Sequence, residues 1–252
     1  MKKVAVIVET RKHKALPFVI DNVMSILPSD WGLQIFHGSD NLDYIKEITK
    51  IELLNNRDVT FTDLQIKSIT ADDSSHGIML KESFWNDVVG DIVLYFECDS
   101  MLCPNSKHKV EDFENFDYIG GYWGNAEYTL DEEYSVVMNG GISIRKKQFM
   151  LDIIKNNLES YLKNGGNPCE DYFVSAHVKN KPTAREVRNF SIDNGYMSPL
   201  DSEAPFAVHK PWGTSPSKGH GRYYEDIKKI CKEVEELESL QEEIKWWEND
   251  GV

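Results

Sequence analysis

Glu97 and Asp99 stand two positions apart in "LYFECDS", at the end of an apolar run. In an extended chain, residues i and i+2 point to the same face, so the two carboxylates would lie side by side. Like charges repel, and burying them without a partner is costly. Either water solvates them, or a cation lies between them and something anionic. Mg²⁺ and Mn²⁺ bridge carboxylate and phosphate oxygens in this way.

Three later segments also carry chemistry. In "MNGGISIR", residues 138–145, Asn139, Gly140 and Gly141 read as a turn, or as backbone close to a ligand, which glycine permits. Arg145 follows as a structural or phosphate-facing cation. In "CEDYF", residues 169–173, Glu170 and Asp171 are first-turn acids of a helix, or a general base and the acid that orients it. In "VHKPWG", residues 208–213, His209 is a loop histidine beside a packed Trp, or a nitrogen ligand for a metal, with Lys210 near phosphate.

The elements around these segments suggest what positions them. "KVAVIVE", "WGLQIFHG", "RDVTFTDL" and "DIVLYFE" are strand-like, and "PFVIDNVMSIL", "YIKEITKI" and "SHGIMLKESFWNDVV" have helical spacing. This β-α-β-α-β-α-β order predicts a mainly parallel sheet with helices on both faces. Ligands of open α/β sheets bind beyond the carboxyl ends of the strands. Glu97 and Asp99 stand at one such end, and Glu9, Thr10 and Arg11 at another. "GGYWGNAEY" and "APFAVHKPWGTSPSKGHG" read as loops, and the helix after "MNGGISIR" is expected from about Lys146.

Composition narrows the function classes. The 252 residues suit one large domain or two small ones. A net charge of −14 argues against general nucleic-acid binding and anionic membranes. No apolar stretch approaches a membrane span, and "MKKVAVIVETRKHK" reads as a first strand rather than a signal peptide. A cytoplasmic protein with reduced thiols is therefore expected, because Cys98, Cys103, Cys169 and Cys231 form no CxxC pair. Arg222 to Val252 reads as one long acidic helix, with ten acids against five bases. Ile230, Val234, Leu237 and Ile244 form a seam on it, followed by the aromatics of "KWW". That seam packs on the protein's own body or on a second chain as a homodimer.

The four segments in their order are similar to the plan of a GT-A nucleotide-sugar glycosyltransferase. "VLYFECDSMLC", "FDYIGGYWG", "MNGGISIRKKQFM", "CEDYFVS" and "FAVHKPWG" resemble the DUF5672 family, a group regarded as GT-A-like. The resemblance runs from about residue 76 to 213. It implies a GT-A-like, Rossmann-like α/β/α sandwich over residues 1–221, with residues 222–252 as a C-terminal helix outside it.

The family's E-x-D resembles the D-x-D metal motif, with Glu in place of the first Asp. By that resemblance Asp99 and His209 bind Mn²⁺ or Mg²⁺, and Glu97 touches the ribose or a metal-bound water. Asp171 is the base of an inverting transfer, with Glu170 as the fallback. Val8, Glu9, Thr10 and Arg11 meet the nucleobase and ribose. Cys98, Lys81, Asn139, Gly140, Gly141 and Lys210 complete the donor site. Lys81 reads equally as a solvated lysine. Tyr122 and Trp123 offer flat faces for stacking on sugar C–H surfaces, or are ordinary packing. The expected partners are a nucleoside-diphosphate sugar and an acceptor hydroxyl on a glycan or other molecule. A retaining transferase, a metal-dependent phosphatase or nucleotide hydrolase, and a non-catalytic nucleotide-sugar binding module are the alternatives.

Overall fold

The computed structural model describes residues 1–69, 75–122, 130–133, 137–195, 197–213 and 220–241. Its centre is a parallel core built from apolar sequence. Strands β1 (Lys3–Glu9), β2 (Trp31–His37), β3 (Val59–Asp63) and β4 (Ile92–Phe96) are all parallel, in the order β3-β2-β1-β4. Every residue of β2 and β4 is buried; β4 is continuously apolar, as suits a covered sheet, while β2 also buries Gln34 and His37, each hydrogen-bonded to a backbone carbonyl. Helix α1 (Leu16–Ile26) buries Leu16, Val19, Ile20, Val23 and Met24, one stripe at helical spacing. Helix α2 (Leu42–Ile48) follows β2.

The chain runs from β1 to β2 and β3 on one side, then crosses to β4 on the other. The carboxyl ends of β1 and β4 therefore flank a topological switch point, where this class of sheet opens a crevice. Glu9 and the Glu97–Asp99 turn both lie there.

The sheet then turns mixed. Strands β5 (Ser100–Leu102), β6 (Tyr118–Tyr122), β7 (Met138–Lys146), β8 (Ser191–Asp193) and β9 (Ala207–His209) extend it in the order β4-β7-β6-β8-β9-β5. β4–β7, β6–β7 and β5–β9 are antiparallel, and β6–β8 and β8–β9 are parallel. Asn22 of α1 holds the outer strand: its amide donates to the Leu102 carbonyl (3.0 Å) and accepts from the Leu102 N–H (2.8 Å). An edge strand is thereby covered.

Several element boundaries differ from expectation. The predicted helix before β4 is two short ones, α3 (Ser75–Met79) and α4 (Glu82–Asp87), because Lys81 is extended. The glycines of "YIGGY" and "NGG" lie within β6 and β7 rather than in loops. A register shift between Gly120 and Gly121 marks a bulge there, and glycine relieves the crowding. "AVH" is a strand within what read as a loop. Helices α5 (Lys147–Lys163), α6 (Glu170–His177) and α7 (Ala184–Phe190) follow β7.

The C-terminal helix is broken into α8 (Tyr224–Ile230) and α9 (Val234–Ser239), separated by Cys231, whose backbone leaves the helical region. Ile227, Val234 and Leu237 are buried in the same core as the sheet. The described part of the seam therefore packs on the protein's own body. Ile244 and the aromatics of "KWW" lie outside the described residues. All four cysteines are free thiols. Among the described residues, no helix is long and apolar enough to cross a membrane.

Candidate metal centre and its surroundings

Register brings the candidate ligands together. In the antiparallel β5–β9 pair, Ser100 stands opposite His209. In the parallel β8–β9 pair, Asp193 stands beside His209. Glu97 and Asp99 occupy the tight turn that joins β4 to β5. Ligand atoms of Glu97, Asp99 and His209 all lie within 4.8 Å of one another.

His209 Nε2 lies 3.2 Å from Asp99 Oδ1 and 3.5 Å from Glu97 Oε2. Neither His209 Nε2 nor Asp99 Oδ1 has an aligned hydrogen-bond partner among the described residues, although both are buried. Buried polar atoms are rarely left so. Nδ1 of the same ring is 2.7 Å from Asp193 Oδ1, and Asp193 Oδ2 accepts from the Asn194 amide at 2.9 Å. A carboxylate on one ring nitrogen orients the other toward a metal. Two carboxylates and an imidazole match Mn²⁺ or Mg²⁺, the nitrogen favouring the softer Mn²⁺. The residues present fit the implied cation.

The electrostatics agree. Burial works against ionising Glu97, yet the adjacent His209 and Lys210 hold its carboxyl down at about 2. Burial likewise opposes charge on Asp99, and Lys210 and His209 outweigh it, keeping Asp99 well below the usual carboxylate range. Burial and Lys210 push the His209 ring down, while Asp99 and Asp193 raise it further than they lower it. The net result is a ring held well above its ordinary value. A ring so raised carries a proton on Nε2, which a divalent cation bound there would have to displace. Lys210 Nζ is 3.5 Å from Asp99 Oδ2, and Asp99 raises its pKa.

The exit of β1 adjoins this turn. Arg11 makes two side-chain bonds to Glu9, Nε to Oε1 at 2.9 Å and a terminal nitrogen to Oε2 at 2.8 Å. The Cys98 thiol donates to Glu9 Oε2 at 3.3 Å. Val8 and Thr10 are buried beside them, and Thr10 Oγ1 accepts from the Ile69 N–H at 3.2 Å. Asn41 ties the exits of β1 and β2, donating to the carbonyls of Glu9 and Arg11 at 2.9 and 3.0 Å.

Glu170 and Asp171 open α6 on a different side of β7. Glu170 forms a fully buried ion pair with Arg145, whose guanidinium also faces the rings of Tyr95 and Tyr118. Asp171 Oδ1 accepts from the Gly140 N–H at 2.8 Å. A Cβ at position 140 would come within 2.6 Å of Asp171 and 2.5 Å of Arg145. A Cβ at position 141 would lie 2.4 Å from the His209 ring. Consecutive glycines thus press against the two clusters in turn. The Asn139 side chain accepts from the Gly141 N–H at 2.8 Å.

Other expected site residues lie elsewhere. Lys81 lines a cavity of about 290 Å³ with Phe36, Asp63, Gln65 and Asp87, and none of the three metal-centre residues lines it. Tyr122 is 2% exposed with the Arg188 guanidinium over its ring, so its face is occupied by packing rather than open to a sugar. Trp123 lies outside the described residues. Sequence reasoning missed Asp193 and Asn41. Asp193 stands in a three-residue strand before Asn-Gly, which reads as a turn and gives no signal of a partner sixteen residues on.

A family model described as "Protein of unknown function (DUF5672)" matches residues 58–209. No curated protein matches the chain in sequence. Among solved structures, the apo form of the glycosyltransferase GlyE of Streptococcus pneumoniae TIGR4 is similar at 14% identity and a TM-score of 0.57. The match covers 98% of this chain and 61% of that one, so this chain spans about three fifths of GlyE. The galactosyltransferase LgtC, in complex with donor and acceptor sugar analogs, is similar at 13% identity and a TM-score of 0.59, over 97% of this chain and 99% of that one. These likenesses show that the chain has the GT-A glycosyltransferase fold.

Proposed function

The chain belongs to the DUF5672 family, and we propose that it is a metal-dependent glycosyltransferase that moves a sugar from a nucleoside-diphosphate donor to an acceptor hydroxyl. One observation carries this reading: Glu97, Asp99 and His209 converge at the switch point of a GT-A fold, with Asp193 orienting the histidine. The kind of reaction is supported by the neighbours, since GlyE is a glycosyltransferase and LgtC was captured with donor and acceptor sugar analogs.

Asp99, His209 and Glu97 would hold Mn²⁺ or Mg²⁺. A bound divalent cation supplies charge neutralisation of the diphosphate as leaving group. Lys210 adds a second positive charge beside Asp99 to bind phosphate oxygens. The exit of β1 from Val8 to Arg11, with Cys98, frames the nucleoside. The Asn139–Gly141 backbone gives close approach to the transferred sugar.

Asp171 is the proposed base. Glu170 is neutralised by Arg145, which makes it a poor proton acceptor. Asp171 takes the acceptor's proton as the hydroxyl oxygen forms its bond to the anomeric carbon. The bond from that carbon to the diphosphate oxygen breaks, and the configuration inverts.

A thermal-shift screen tests the reading. Nucleoside-diphosphate sugars with different bases are each added with Mn²⁺ and with EDTA. One nucleotide should raise the melting midpoint only with Mn²⁺, since a ligand of the folded state stabilises it by mass action. No shift with any nucleotide sugar, on folded protein, would overturn the proposal.

A further inference from the structure

The turn bearing Glu97 and Asp99 is held by groups from four parts of the chain. Ser100 Oγ accepts from the Glu97 N–H (3.0 Å) and donates to the Glu97 carbonyl (2.9 Å). Glu9 takes the Cys98 thiol. The Lys210 N–H donates to the Asp99 carbonyl at 2.9 Å. The fourth group arrives from 143 residues away: Gln241 Nε2 donates to the Cys98 carbonyl at 3.0 Å.

Gln241 Nε2 also donates to the Leu237 carbonyl at 3.0 Å. Both neighbours are acceptors, so the amide nitrogen must face them, and its two N–H groups are both used. Gln241 is delivered by a packed element. Val234 and Leu237 of α9 are buried, and the buried Cys231 thiol meets that of Cys103 at the exit of β5.

We propose that Gln241 is a positioning residue of the metal centre, and that the C-terminal helices are part of the donor site's scaffold. The Cys98 carbonyl belongs to the planar peptide unit that ends in the Asp99 nitrogen. Holding that plane fixes the direction in which the Asp99 side chain leaves the turn, toward His209. The inference rests on the metal-binding reading above. Polar groups behind metal ligands typically change affinity 10- to 100-fold when removed.

The test uses the full chain with Gln241→Glu and Gln241→Ala. The first is nearly isosteric and replaces the donor with a carboxylate oxygen. Hydrogen exchange is read on metal-free protein, and Mn²⁺ affinity by titration of its electron paramagnetic resonance signal. Exchange at residues 97–100 should quicken while β1 and α5 keep wild-type rates, and Mn²⁺ affinity should fall about 10-fold or more. Unchanged exchange at the turn would overturn the clamp. Faster exchange with wild-type Mn²⁺ affinity would overturn its role in positioning. Absence of Mn²⁺ binding in the wild type would contradict the metal reading and this inference with it, and the exchange data distinguish that case from a missing clamp.

Discussion

Asp193 and His209 stand side by side on adjacent parallel strands, with a carboxylate oxygen of Asp193 2.7 Å from Nδ1 of His209. That contact commits Nδ1 as a donor and leaves Nε2 facing Asp99 and Glu97. Asp193→Ala should weaken Mn²⁺ binding by about 10- to 100-fold, as loss of such a partner does elsewhere. Asp193→Asn, which keeps an acceptor but loses the charge, should fall between. Equilibrium Mn²⁺ titrations on the three proteins decide it. Equal affinities would remove Asp193 from the account.

Gly141 lies against the His209 ring so closely that an added methyl group must displace it. Gly141→Ala should therefore abolish metal-dependent stabilisation. Overpacking of a dense interior costs about 1–3 kcal/mol, so the folded protein should survive. The check is a melting curve with and without Mn²⁺. A wild-type metal shift in the variant would show that His209 is not a ligand.

The acids at the start of α6 should separate by role. Arg145→Met strands a fully buried Glu170 carboxylate, and breaking such a pair costs about 3–5 kcal/mol. Chemical denaturation should show that loss. Stability within experimental error of wild type would mean the pair is not structural.

Asp171→Asn should behave differently. The amide oxygen can still accept from the Gly140 N–H, so folding and donor binding should persist. Transfer to an acceptor should fall by about 10² to 10⁴, the usual contribution of a general base. Calorimetry of donor binding beside a product assay separates the two. Undiminished transfer would take the base role from Asp171.

Much of this was legible in the sequence because it rests on local pattern. Fully apolar "IVLYF" and the stripe of α1 report their burial directly. The carboxylate pair at the exit of β4 and the late histidine were readable as residue types at telling places. What escaped depends on distant register. Asp193 matters because β8 lies beside β9, and no local spacing encodes that. Arg145 and Glu170 meet across a strand and a helix, so the sequence alone left Arg145 between a structural and a phosphate-facing role. The C-terminal segment is helical as its pattern suggests, but among the described residues it comes as α8 and α9, because the buried Cys231 between them leaves the helical region, a break that local pattern does not encode. "GGYWGNAEY" reads as a loop and "MNGG" as a turn or a close backbone approach, because glycine gives the same signal for these as for a close approach within a strand.

The most direct measurement is a calorimetric titration of the nucleotide sugar found by screening, into wild type and Asp99→Ala, with Mn²⁺ and with EDTA. Wild type with Mn²⁺ should bind. Both EDTA and Asp99→Ala should weaken binding by about 10-fold or more, the scale of a lost charge-assisted contact. Equal donor affinity in all four arms would contradict a metal centre at Glu97, Asp99 and His209.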